Sequence, residues 1–387
     1  MSSFAAELVA FIRDLYRTEE LVPLHAPVFS GNEKRYLSEA IDSTMVSTVG
    51  EFVVDFEKQI AQITGAKYAV AVCNGTAALH LALLAAGVKL NDEVITQSIT
   101  FVATCNAISY CGAHPVFVDV ERESLGLSPE SLQYFLENYA DLDDSGVCRS
   151  RWSGRVIRAC VPVHNLGHPS RVDKIKAICD QYQIALVEDS AEALGSYLNG
   201  RHVGTFGQAG VISFNGNKII TTGGGGVVLT NSEDVAVKVR HISTTAKMPH
   251  SYLYIHDQLG FNYRMPNLNA ALGLGQIEQL NHHLGSKRMV AGRYSAWFDL
   301  HDREFFAEAS WASSNYWLNA FFTASAAERD EVLDYSNSAQ VMTRPMWTPM
   351  HTQLPYRDCL RIALPVTERI EETLVCLPSS PPAEDHG

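Results

Sequence analysis

Apolar residues change their spacing several times along the chain, and each change predicts an element. Phe4, Leu8, Phe11, Ile12 and Leu15 recur at helical spacing, so an amphipathic helix is expected at the N-terminus. Leu21 to Gly50 carries Pro, Gly, Ser and Thr and reads as an extended arm with one short helix. From about Phe52 a strand–helix alternation sets in. YAVAV (Tyr68–Val72) is an apolar run of strand length, and Thr76 to Leu84 follows as a helix. EVITQ (Glu93–Gln97), HPVFVDV, RVIRACVPV and QIALVED are further strands, with helices expected over FVATCNAISYCG and around Val172–Tyr182. Continuous Val/Ile runs alternating with helices imply a parallel sheet buried on both faces. Asp141 to Gly154 is polar and reads as a surface loop.

Beyond Val211 the rhythm changes. AGVISF is a strand, and GGGGVVLT is a turn leading into another. A helix from about Asn267 to Leu284 leads to a smaller α+β unit, in which NYWLNAFFTA and AQVMTRPMW are strands flanking the helix AERDEVLDYSN. The expected division is therefore residues 1–50 as helix and arm, 51–265 as a large domain, and 266–387 as a linking helix and small C-terminal domain. The tail PPAEDHG is expected to fray. The fold class is α/β.

Composition narrows the function classes. The chain has 387 residues, 46% hydrophobic and 19% charged, which suits a sizeable core. Its net charge is −13, without basic clusters, which argues against a nucleic-acid partner. Eight scattered cysteines without a C-x-x-C pair suit reduced thiols. Met1 to Arg13 lacks the basic start and apolar run of a secretory signal, and no stretch reaches membrane-spanning length. A cytoplasmic protein is expected, with no membrane partner.

Three places carry candidate chemistry. In NGTAALHLAL (Asn74–Leu83) a strand turns into a helix at Gly75 and Thr76, where free N–H groups and the helix dipole suit a phosphate. Taken alone, such a turn is more often an ordinary helix cap with no ligand. In ALVEDSAEALG an apolar strand ends at Asp189, with Glu192 three residues on. Sites of open α/β sheets gather at such ends, although Glu188 and Asp189 could equally cap the next helix. In AGVISFNGNKIITTGGGG, Lys218 follows a buried strand and precedes Gly223 to Gly226. A desolvated lysine there favours the neutral, nucleophilic amine; the plainer alternative is a surface lysine before a hairpin. Phosphate cup, carboxylate and lysine together are what pyridoxal 5′-phosphate (PLP) requires of a protein. His164 and His168 are four apart, but Gly167 between them and Pro169 after His168 argue against a helical metal pair, and no metal site is expected.

The ordered motifs GTAALHLAL, ITFVAT, VEDSAEALGS, SFNGNKIITTGGGG and FNYRMPNLNAALG resemble the DegT/DnrJ/EryC1/StrS group of sugar aminotransferases, from about Leu21 to Met350. The resemblance implies a PLP-dependent fold-type I aminotransferase. Its large domain would hold a mainly parallel seven-stranded sheet, and its active sites would be shared in a homodimer. It assigns Lys218 as the lysine that carries the cofactor covalently and Asp189 as the partner of the pyridinium nitrogen. Gly75, Thr76, Ala77 and Ser213 would hold the phosphate. Phe101 takes the ring-stacking position, Glu192 the one facing the phenolic oxygen, and Asn262 the one reaching the phosphate of the neighbouring subunit. The cofactor would cycle through pyridoxamine 5′-phosphate.

The chain departs from most members at Asn215, where His is usual, and at Gly224, where Glu is usual. It also stops soon after LVCLPSS, so a usual C-terminal helix is expected to be short or missing. With STTAKMPH and SNYWLNA, these features resemble the subgroup that aminates UDP-linked 4-keto-6-deoxy-N-acetylhexosamines in bacillosamine and legionaminic acid pathways, with L-glutamate as donor. A GDP-linked or 3-keto sugar is the alternative. A sugar dehydratase of this fold, which would carry histidine in place of Lys218, and a non-catalytic regulator are the rivals. Thr48, His164, Lys247, Asn315 and Tyr316 are the candidate substrate contacts.

Overall fold

A computed structural model of the chain describes residues 3–382; the end of the tail expected to fray, from residue 383, lies outside the described residues. Seven strands form the main sheet: β1 (Tyr68–Val72), β2 (Glu93–Gln97), β3 (His114–Val118), β4 (Ile157–Val161), β5 (Ala185–Asp189), β6 (Ala209–Ser213) and β7 (Gly226–Thr230). Their spatial order is β1-β7-β6-β5-β4-β2-β3. Only β7 runs against the others, antiparallel to both β1 and β6. Helices cover both faces, and the strands are almost wholly buried, as their largely apolar sequences require. This is the α/β architecture, with a mainly parallel seven-stranded sheet, that the resemblance implies.

The C-terminal unit is built on a four-stranded antiparallel sheet, ordered 304–305, 319–322, 374–377, 344–345. The N-terminal helix Ser3–Tyr16 packs here, not on the main sheet: Phe4, Leu8 and Ile12 share a core with Tyr294, Phe298 and Phe321. The arm that follows is tied down at intervals. Val22 bridges Val341, and the helix Glu33–Asp42 lies on the helix Asn267–Glu278.

Several expectations need correction. The segment read as a loop over 141–154 contains a hairpin, 140–142 paired with 148–150, because the Asp143 carboxylate accepts from the N–H groups of Ser145 (2.9 Å) and Val147 (3.0 Å) and closes a tight turn. The helix expected over 267–284 breaks at Gln279 and resumes as Leu280–Leu300. AQVMTRPMW contributes only the pair Arg344–Pro345 to a sheet. Helices Pro129–Tyr139 and Glu233–Ser243 escaped the sequence reading, although each has a serine N-cap, Ser128 and Ser232. Among the described residues no helix is long and apolar enough to cross a membrane.

The two units are joined by a cap that sequence order hides. Asp119, just past β3, accepts from the N–H groups of Val366 and Thr367, each at 2.9 Å, and so caps the C-terminal helix Pro365–Thr373 from the other unit. Asp119→Ala is expected to lower global stability by about 1–2 kcal/mol, read from urea unfolding. A midpoint unchanged from wild type would show that water replaces this cap at no cost.

Candidate active site

The site lies where β1, β5 and β6 end on the same side of the sheet. After β1 the chain turns at Asn74, whose backbone is extended (φ −170°) and whose Oδ1 accepts from the N–H of Ala77 at 2.8 Å. The helix Gly75–Ala85 starts there. The N–H groups of Gly75 and Thr76 precede its first intrahelical bond and remain available to an anion. Ala77, expected to join them, has its N–H engaged by Asn74, so its backbone is a poor phosphate donor. Ser213, at the end of β6, faces this turn so closely that a Cβ on Gly75 would lie 2.9 Å from Ser213 Cβ. Gly226 at the start of β7 is held to the same standard, since its Cβ would fall 2.6 Å from the Asn74 carbonyl carbon and oxygen.

Asp189 ends β5 with only 4% of its surface exposed. Its Oδ2 accepts from the Thr104 hydroxyl at 2.7 Å and its Oδ1 from the N–H of Ala191 at 3.1 Å. Burial raises its pKa; the Thr104 and Ala191 bonds and the charge of Lys218 pull the other way without cancelling it. A carboxylate so placed is short of positive charge, which a pyridinium N–H would supply. Glu192 is equally buried, and burial raises its pKa too, against the opposing pull of Lys218. Its Oε2 accepts from the N–H of Leu166 at 2.8 Å, and its Oε1 lies 3.4 Å from Lys218 Nζ. Leu166 takes a left-handed backbone (φ 56°) to present that N–H.

Lys218 projects into a cavity of about 290 Å³ whose lining includes Gly75, Thr76, Phe101, Asp189, Glu192 and Ser213. One chamber thus brings together a helix N-terminus with a serine hydroxyl, two buried carboxylates and an amine. These groups fit the phosphate, ring nitrogen, phenolic oxygen and aldehyde of PLP. Phe101, 54% exposed, stands at the mouth against Trp347, with ring centroids 5.7 Å apart.

The remaining candidates lie elsewhere. His164 is sealed in the core: Ser170 N donates to its Nδ1 (3.1 Å), and its Nε2 lies 3.3 Å from Glu188. Asn315 is buried and donates to the carbonyls of Glu192 and Leu194; Tyr316 is buried and accepts from the N–H of Glu308. These three were expected to touch substrate, and their burial and internal bonds rule out that contact in this conformation. Thr48, Lys247 and Asn262 lie away from the cavity lining, with Lys247 and Asn262 exposed. The sequence reading missed Asn74, Thr104, Trp317 and Trp347. Three of the four sit in motifs quoted for the resemblance or directly beside one, but only the folded chain turns them toward the amine and carboxylates.

Because a Cβ at 75 has no room, Gly75→Ala is expected to weaken PLP binding by about tenfold or more. At Gly224 a Cβ would meet nothing closer than the Cys73 carbonyl oxygen at 3.7 Å, so Gly224→Ala is expected to bind PLP as wild type does. Titration of the visible absorption with PLP compares the two; equal affinities would remove Gly75 from the phosphate cup.

Known proteins resemble this chain over nearly its whole length. EpsN of Bacillus subtilis (strain 168), whose provisional name describes a pyridoxal phosphate-dependent aminotransferase, is 37% identical over 92% of this chain and 90% of its own. The GDP-perosamine synthase of Escherichia coli O157:H7 is 35% identical over 93% of each chain. Among solved structures, the aminotransferase TlmJ from Streptoalloteichus hindustanus superimposes with a TM-score of 0.84 at 26% identity, over 94% of this chain and 95% of its own. The family model for DegT/DnrJ/EryC1/StrS aminotransferases matches residues 28–386. That span takes in both units and every wall of the cavity, so the chain belongs to the DegT/DnrJ/EryC1/StrS aminotransferase family, whose members are PLP-dependent sugar aminotransferases.

Proposed function

We propose that the chain moves the amino group of L-glutamate to the 4-keto group of a UDP-linked 4-keto-6-deoxy-N-acetylglucosamine-type sugar. The observation that carries the reaction is the convergence of Lys218, Asp189 and Glu192 beside a helix N-terminus in one cavity. PLP, when bound, supplies the electron sink that makes the Cα–H bond of the donor labile. The N–H groups of Gly75 and Thr76, with the Ser213 hydroxyl, hold its phosphate. Asp189, oriented by Thr104, keeps the ring nitrogen protonated, and Glu192 faces the phenolic oxygen. Phe101 shields the ring face from water. Lys218 Nζ would take the Cα proton of glutamate as general base and, as general acid, deliver it to the cofactor carbon that the lysine itself had occupied. The second half-reaction runs the same proton path in reverse on the sugar.

The nucleotide and the 2-acetamido group are proposed from GGGG, STTAKMPH and SNYWLNA, the motifs shared with the subgroup. Thr48 and Lys247 are proposed to meet the acceptor from the surface. A second reading, a GDP-linked acceptor with a plain 2-hydroxyl, is favoured by the relatives named GDP-perosamine synthase, at 34–35% identity. We also propose a homodimer with shared sites. Asn262 is exposed, and before it Tyr252, Tyr254 and Leu259 are 78%, 80% and 82% exposed, an apolar surface that a second copy would cover.

Lys218→Ala is expected to fold yet lose both the visible absorption of the lysine-bound cofactor and all turnover. Asp189→Asn is expected to bind PLP but to react with glutamate roughly a hundredfold or more slowly, since an amide cannot hold the ring proton. A half-reaction near the wild-type rate would reduce Asp189 to a structural role.

Mixing inactive Lys218→Ala subunits with Asn262→Asp subunits, where the latter are inactive, is expected to restore activity. One site of each mixed dimer would then carry both defects and the other neither. No recovery after confirmed subunit exchange would argue against shared sites.

The acceptor is tested by steady-state kinetics on matched UDP and GDP keto sugars, with and without the 2-acetamido group. Preference for the UDP-linked acetamido sugar is expected. A preference for the GDP sugar would establish the second reading and leave the amino transfer intact.

A further inference from the structure

The segment Ser314–Trp317 reaches from the C-terminal unit to the back wall of the cavity, and its hydrogen bonds converge on the groups around Lys218. Asn315 Nδ2 donates to the carbonyls of Glu192 (2.8 Å) and Leu194 (2.9 Å), and its Oδ1 accepts from the N–H of Trp317 at 2.8 Å. The Trp317 indole N–H donates to the carbonyl of Asn217, the residue before the lysine, at 2.7 Å. On the far side the buried Lys287 side-chain nitrogen donates to the Trp317 carbonyl at 3.0 Å. The ring is therefore fixed through its indole N–H, the backbone that carries it is held at both its N–H and its carbonyl, and only 1% of Trp317 is exposed. Lys218 Nζ sits over this ring, 3.9 Å from its centroid, and 3.4 Å from Glu192 Oε1.

A face-on cation above an indole is attracted by the ring's quadrupole, and the attraction is larger where water is excluded. Lys218 is mostly buried, with 14% of its side chain exposed, so this contact is well shielded. A transaminating lysine must leave the cofactor and wait close by, correctly aimed, while the donor occupies its place. We propose that the Trp317 ring and the Glu192 carboxylate form a seat that holds Lys218 Nζ whenever the lysine is not joined to the cofactor, most tightly once the amine has taken up a proton. Trp317 is then a positioning residue for proton transfer, and Asn315 positions both halves of the seat. The proposal rests on the PLP assignment and is independent of which sugar is aminated.

The first test uses the full-length, cofactor-free chain labelled with ¹³C at lysine Cε. The Lys218 signal is identified by its loss in Lys218→Arg. Ring current is expected to displace it upfield in wild type and in Trp317→Phe, and the displacement should vanish in Trp317→Leu. The second test follows the glutamate half-reaction of the holoenzyme. Trp317→Leu is expected to slow it by about tenfold, while Trp317→Phe stays within about threefold of wild type. The slowed step should show a larger isotope effect with α-deuterated glutamate, which a general loss of packing would not produce. Asn315→Ala should give the same pattern and serves if Trp317→Leu does not fold. A Lys218 signal without upfield displacement in the wild-type chain overturns the seat. A Trp317→Leu or Asn315→Ala half-reaction at the wild-type rate overturns its part in proton transfer. Failure of the wild-type chain to gain visible absorption with PLP would instead indict the cofactor assignment.

Discussion

Two carboxylates buried within one cavity, facing one amine, set the terms for everything around them. Asp189 and Glu192 are almost without solvent, and burial pushes both pKa values up. Such groups persist only where hydrogen-bond donors and positive charge are arranged to meet them. Thr104 and Ala191 answer Asp189, Leu166 and Lys218 answer Glu192, and Asp189 is left short of positive charge. The left-handed backbone at Leu166 follows from the same demand, because it turns an N–H toward Glu192.

The sheet provides the rigid frame for this arrangement. The single antiparallel strand β7 lies between β1 and β6 and passes so close to Asn74 that residue 226 has no room for a side chain. That closeness brings the Ser213 hydroxyl to the start of the helix Gly75–Ala85, and places this helix N-terminus beside the carboxylates and not a strand away. The glycine run therefore has divided duties. Gly223 supplies a left-handed backbone, Gly225 and Gly226 avoid collisions, and Gly224 is required by neither.

The C-terminal unit is an active participant in the site. It supplies Trp317 and Trp347 to the cavity, and it is locked to the large unit by the Asp119 cap and by the bonds of Ser314–Trp317. The N-terminal helix, packed on this same unit, buttresses it through Tyr294, Phe298 and Phe321. A shift of one unit against the other would move the indole beneath Lys218, so the packing between them bears directly on the chemistry.

The sequence by itself determined the parallel α/β frame, because strands buried on both faces must be written as largely apolar runs, and those of β1 to β7 are, with Glu93, Thr96, Gln97 and Arg158 among the interruptions. It also marked Gly75, Asp189 and Lys218, since each stands at a strand end beside residues of unusual chemistry. What it could not determine were contacts between residues far apart in the chain. Asp119 and Thr367, or Lys218 and Trp317, are joined by hydrogen bonds and ring contacts that leave no periodicity behind. For the same reason His164, Asn315 and Tyr316 looked like substrate contacts: polar residues in a loop read alike whether they face solvent or the core. Only the tertiary structure decided that these three close the interior, and that a tryptophan unremarked in SNYWLNA lies under the reactive amine.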